Sequence, residues 1–161
     1  MKKIIYTLLI LVVLTNNSFS AGTASNSSDA SSNYTKAYNL IKAAKKYEKK
    51  GKTEKAQTKY VNAQELLLKS NKEKPLQADT LNYLGFTTRK LGDYEKGEEF
   101  YLQGLQIKPD HNGINEYLGE LYVVTKRMDL AKQRLEVLKS CNCKEYKQLK
   151  EIIDGTKKSK Y

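Results

Sequence analysis

Proline and histidine are scarce in this chain, and so is cysteine. Two prolines in 161 residues leave long stretches without a helix breaker, which suits one all-helical domain. The single histidine, His111, falls in the turn Pro109-Asp110-His111-Asn112, where a solvated helix-start residue accounts for it. A hydrolytic site needs a nucleophile, a base and an orienting group, and one such histidine gives it little to build on. Cys141 and Cys143 together with a distant histidine fall short of the four ligands of a closed zinc site. The glycines sit at turn and helix-crossing positions and form no phosphate-cradling loop. The carboxylate pairs Glu98-Glu99 and Glu116/Glu120 read equally well as solvated helix faces. The composition implies no enzyme, no metal and no cofactor.

A long apolar run occurs at the start, Ile4 to Leu14, after the basic Met1-Lys2-Lys3 and before the small polar stretch Thr15–Ser20. That is the shape of a secretory signal peptide, with cleavage expected before Ala21. The run is short for a bilayer span, so no stable membrane span is expected after cleavage. No cysteine follows it, which argues against a lipid anchor. The compact basic start looks bacterial and suggests export to a periplasm. Loss of Lys2 and Lys3 lowers the formal charge from +11 to +9, still basic enough to favour acidic partners. Lysine dominates over arginine with no aromatic-interleaved basic strip, which together with export argues against nucleic acid. The expected organisation is a signal peptide over 1–20, a disordered Ser/Ala/Asn-rich leader over 21–33, a helical domain over 34–154 and a basic tail over 155–161.

Within the helical part a spaced pattern stands out: Leu81, Leu84-Gly85, Gly92-Asp93-Tyr94, Tyr101, Gly104 and Pro109. It resembles the tetratricopeptide repeat, a helical hairpin of about 34 residues. The stripes Leu81/Leu84/Thr88 and Tyr94/Gly97/Tyr101 follow helical periodicity. Gly85 and Gly97 belong where two helices cross, and Asp93 is an N-cap candidate. The register recurs. Downstream, Leu118-Gly119 repeats Leu84-Gly85, and Ala131 and Leu135 align with Gly97 and Tyr101. Upstream, Ala44, Gly51, Ala56 and Tyr60 align with Gly85, Gly92, Gly97 and Tyr101. The upstream unit is overlong by about two helical turns, which predicts an extended second helix to Ser70. The fold expected is all-α, an α-solenoid of about three such hairpins closed by a capping helix, with helices near 34–50, 53–70, 78–90, 94–107, 112–125, 128–139 and 144–153.

The resemblance implies a concave surface lined by the first helix of each unit, and a non-catalytic adaptor or assembly factor that binds a protein or peptide there. By register the lining residues are Tyr38, Ile41, Lys45 and Lys49, then Asn82, Phe86, Arg89 and Lys90, then Glu116, Glu120 and Val123. Some family members clamp a terminal carboxylate with Lys and Asn side chains, a role open to Lys45, Asn82, Arg89 and Lys90. Glu116 and Glu120 make the expected groove polarised instead of uniformly basic. Phe86 is either an exposed anchor or buried between units.

Three readings fit Cys141 and Cys143: a local bridge before the capping helix, free thiols or an intermolecular bridge, and a redox or soft-metal pair such as a Cu(I) site. The last defines the alternative function, a redox or metal-handling accessory protein. The ending Cys143-Lys-Glu-Tyr resembles that of some exported bacterial tetratricopeptide proteins, although the cysteines here are closer together.

Overall fold

The computed structural model describes residues 26–159. Its helices in chain order are α1 (Asn26–Lys49), α2 (Thr53–Glu73), α3 (Ala78–Lys90), α4 (Tyr94–Ile107), α5 (Asn112–Val124), α6 (Met128–Leu138) and α7 (Lys144–Ile153). Consecutive helices pack as the hairpins α1/α2, α3/α4 and α5/α6, and α7 lies against α5 and α6. This is the α-solenoid expected, with a terminal helix.

Each hairpin turns by the same device. The N–H groups of Gly51, Gly92 and Lys126 donate to the carbonyls of Glu48, Arg89 and Val123, and those of Lys52, Asp93 and Arg127 donate to Tyr47, Thr88 and Tyr122. The pattern satisfies two end-of-helix carbonyls per turn and requires a left-handed residue at its centre. Gly51 and Gly92 supply it at φ 67° and 100°, whereas Lys126 adopts φ 62° without a glycine's freedom. Asp93 caps α4 as expected, its carboxylate accepting from Lys96 N–H at 2.9 Å. His111 caps α5: Nδ1 accepts from Ile114 N–H at 3.1 Å, while Nε2 lies 3.0 Å from Asp79 Oδ1.

Small residues set the close approach of helices. A Cβ at Gly85 would stand 2.6 Å from the Tyr101 ring and 2.9 Å from the Gly97 carbonyl, so α3 and α4 cross there. The aligned Ala44 and Ala56 are fully buried in the first hairpin. The third hairpin differs. A Cβ at Gly119 would meet Leu149 of α7 at 2.5 Å, so this glycine admits the terminal helix, which covers the last unit through Leu149 and Ile152. One apolar cluster joins α1, α2 and α3 around Ile41, Tyr60, Leu67 and Leu84. A second joins α4, α5 and α6 around Tyr101, Ile114, Leu118 and Ala131.

The first hairpin is longer than expected at both ends. α2 continues to Glu73, and α1 begins at Asn26, so residues 26–33 of the expected leader are helical. The two extensions run side by side, and Asn33 Nδ2 donates to the Glu73 carboxylate at 3.2 Å. Once a helix exists, each further residue adds a hydrogen bond without a new nucleation cost, and no proline or glycine interrupts 26–49. The expected signal segment 1–20 lies outside the described residues. Part of the expected basic tail folds back on α7, with Lys157 N–H donating to the Glu151 carbonyl at 3.1 Å. No helix among the described residues is long and apolar enough to cross a membrane.

Candidate functional site

The inner faces of α1, α3 and α5 and the start of α7 enclose a cavity of about 690 Å³. Of the residues expected in the groove, Lys45, Lys49, Asn82, Phe86, Lys90, Glu116 and Glu120 line it. The helical period places them there: within each helix they are separated by one turn, on the face opposite the paired helix.

The remaining expectations divide. Ile41 is a core residue, 1% exposed. Tyr38 lies outside the cavity lining, packed on the Tyr83 ring at 5.5 Å between centroids, with Lys42 Nζ 4.8 Å from its ring centre. Val123 is half-buried against the second apolar cluster. Arg89, expected as a donor to a partner, is 2% exposed. Its guanidinium turns between the second and third units, donating to the Tyr117 carbonyl at 2.7 Å and to Glu120 at 3.3 Å. The register placed it on the correct helix, but its long stem reaches inward to acceptors on α5. Phe86 is buried, between Tyr60 at 5.8 Å and Tyr117 at 5.0 Å.

Other lining residues were not expected. Tyr83 and Tyr117 hold the same position in successive units, a recurrence visible in the sequence. Burial raises both phenols well above the ordinary tyrosine range, so they are neutral hydroxyls at physiological pH. Glu48 accepts from Tyr60 Oη at 2.9 Å and is ion-paired with Lys90, and both line the groove. Lys144, Glu145 and Gln148 come from α7, which the sequence marked only as a cap.

The charged groups of the groove lie at different depths. The carboxylate-bearing Glu116 and Glu120 are 5% and 4% exposed, deep in the groove. Lys49 is exposed at the rim, and the Lys144 side chain is 78% exposed. Between these depths, Lys45 Nζ donates to Tyr117 Oη at 3.1 Å and lies 4.3 Å from the Phe86 ring centre. The floor is aromatic and of mixed charge, with Glu120 paired to Arg89 and Lys90 paired to Glu48, and the exposed rim carries Lys49 and Lys144.

Cys141 and Cys143 are joined by a disulfide, with Cα atoms 5.2 Å apart. Cys143 is the N-cap of α7, so the bridge lies at the entry to the helix that supplies the last groove wall. Among the described residues no group of three or more His, Cys, Asp and Glu side chains is arranged to hold a metal ion.

No protein-family model and no curated protein matches the sequence. Among solved structures, the chain is similar to the first TPR of Spaghetti (RPAP3) bound to HSP90 peptide SRMEEVD. The TM-score is 0.54 and the identity 18%, over 76% of this chain and 94% of that one. The likeness shows the fold, a tetratricopeptide-like stack of helical hairpins.

Proposed function

We propose that the protein is a non-catalytic adaptor that holds a short segment of a partner protein in the groove formed by α1, α3, α5 and α7. The observation that carries this reading is the cavity itself, lined by all three units and rimmed by exposed lysines. Its half-buried Tyr83 and Tyr117 offer contact area to a bound segment, and its rim lysines suit acidic residues along it. The similar solved structure holds a peptide, which supports a peptide as the class of ligand. The exposed rim lysines Lys49 and Lys144 favour a segment of net acidic character, steered in by charge and screened by salt.

The basic start and apolar run of residues 1–20 support export, and the Cys141–Cys143 bridge supports work in an oxidising compartment such as a bacterial periplasm. With both cysteines joined to each other beside the groove wall, the bridge has a local structural use, and the redox reading gains no support from a metal-ligating neighbour.

The test is selection of displayed random peptides on the full chain, followed by affinity measurement against a Lys49→Glu/Lys144→Glu variant. Both positions are exposed, so the fold should tolerate the change. The expected result is enriched peptides that bind the variant at least tenfold more weakly. Failure to enrich any peptide, or peptides indifferent to both substitutions, would sink the reading.

A further inference from the structure

Lys45 is bound by its own protein in the way a ligand would be. Its ammonium nitrogen lies 4.3 Å from the centre of the Phe86 ring, 5.4 Å from that of Tyr117 and 3.1 Å from Tyr117 Oη. The two rings are neighbours, 5.0 Å apart between centroids, with Phe86 lying under the cation and Tyr117 meeting it with its hydroxyl edge. Ring faces attract cations through their quadrupole, more strongly when water is excluded. Phe86 is only 1% exposed, and the half-buried Lys45 is part of its cover. The three residues come from three different units, so the site is a product of the stacked repeats and of no single hairpin.

The surroundings are mixed in sign: Glu120 is already ion-paired with the buried Arg89, and Lys90 lines the groove beside Glu48. Two glutamates, Glu116 and Glu120, lie deep in the groove of a chain whose formal charge is +11. Asn82 also lines the groove, is 5% exposed, and has Oδ1 buried with no hydrogen-bond partner among the described residues. The Phe86 ring face, the Tyr117 hydroxyl and an amide oxygen each attract positive charge or accept hydrogen bonds. An apolar side chain over the rings would press these polar groups against hydrocarbon, which is unfavourable. A cationic one keeps the ring contact and the hydrogen bond that Lys45 now makes.

We infer that the groove floor recognises one lysine or arginine side chain of the bound segment, and that Lys45 occupies this site as an internal stand-in until the segment displaces it. The inference rests on the peptide-binding reading and specifies it: an acidic segment meeting the rim lysines, anchored by a single cation on the floor. Lys45, once displaced, joins the rim cations. Exchange of one ammonium for another keeps the floor's charge balanced throughout, which makes binding depend on shape and on the rest of the segment more than on the cation alone.

The stand-in can be removed and its chemistry returned in solution. Binding of n-butylammonium to the full chain and to Lys45→Ala is measured by NMR shift of the Tyr117 and Phe86 ring signals, with n-pentanol as the neutral analogue. Lys45→Ala is expected to bind n-butylammonium saturably and at least tenfold more tightly than the unmodified chain. Phe86→Leu added to it should abolish the gain, and n-pentanol should fail to compete. Should Lys45→Ala not fold, Lys45→Gln serves in its place. Equal binding of n-pentanol makes the floor an apolar anchor site and overturns the inference, as does the absence of n-butylammonium binding. Selected peptides give a second readout: replacing their lysine or arginine by norleucine should weaken binding tenfold or more. Groove-dependent peptides without a required cation overturn this inference while leaving the adaptor reading intact. Absence of all peptides strikes the adaptor reading, with the butylammonium measurement still deciding the floor chemistry.

Discussion

Arg89 on α3 and Glu120 on α5 form an ion pair inside the protein, with Nη2 3.3 Å from Oε2 and side-chain exposures of 0% and 5%. The pair fastens the second unit to the third beneath the groove. Removing one partner leaves the other charge buried, which costs about 3–5 kcal/mol. Arg89→Ala is therefore expected to lower unfolding stability by about that amount in urea titration, whereas Arg89→Met/Glu120→Leu should recover most of it. A loss in the double variant as large as in the single one would mean that the charges are worth more than well-packed hydrocarbon.

The three hairpin turns predict a stabilising substitution. Lys126 adopts φ 62° where the other two turns have Gly51 and Gly92, and it is exposed. A left-handed conformation costs a residue with a Cβ about 1–2 kcal/mol, offset in part by the greater freedom of glycine in the unfolded chain. Lys126→Gly should raise stability by about 0.5–1 kcal/mol. A decrease in the unfolding midpoint would show that the Lys126 side chain contributes more than its backbone costs.

Alkaline pH should unfold the protein from the side of its tyrosines. Burial raises the pKa of Tyr34 and Tyr122 to about 12, aided by Asp79 and Glu98 respectively, and holds the fully buried Tyr101 higher still. Below about pH 10 both folded and unfolded chains keep these protons and the contribution is complete. Above it the unfolded chain releases them first, so stability falls as pH rises toward the folded-state values. A flat melting temperature to about pH 9 and a steep decline beyond pH 10 are expected, with ultraviolet absorbance showing ionisation of the buried tyrosines delayed until unfolding. Free ionisation of all tyrosines near pH 10 in a chain that remains folded would contradict the burial argument.

The disulfide closes a ring spanning Cys141 to Cys143, so the entropy it removes from the unfolded chain is small, about 1–2 kcal/mol by loop closure. Cys141→Ser/Cys143→Ser should fold, lose no more than about 2 kcal/mol, and show faster amide exchange concentrated in α7. Exchange unchanged in α7 but faster in α1 or α2 would detach the bridge from the role of seating the terminal helix.

Much of this architecture was legible in the sequence, because its signals are local. Helical periodicity, the glycines at 51 and 92 and the capping Asp93 each act within a few residues of themselves, and the bounds of α3 and α4 follow from them. Gly85 and Gly97 marked a crossing because only small residues permit one. The length of α1 was not legible, since Asn33 is held by Glu73, forty residues away along the chain. The groove was legible in part. Register placed Lys45, Asn82, Phe86 and Glu116 on one face, but it gave no measure of side-chain reach, so Arg89 was assigned to the surface it turns away from.

The sequence by itself determined the repeating hairpins, their turns and the order in which they stack, since these depend on contacts between near neighbours along the chain. The tertiary structure decided what the groove offers. Only the stacking of three units sets Lys45 over Phe86 and Tyr117 and buries Glu120 against Arg89. Only the fit of Leu149 over Gly119 brings α7 in as a wall. These are contacts between residues far apart in the chain, fixed by packing and charge pairing that no local pattern encodes.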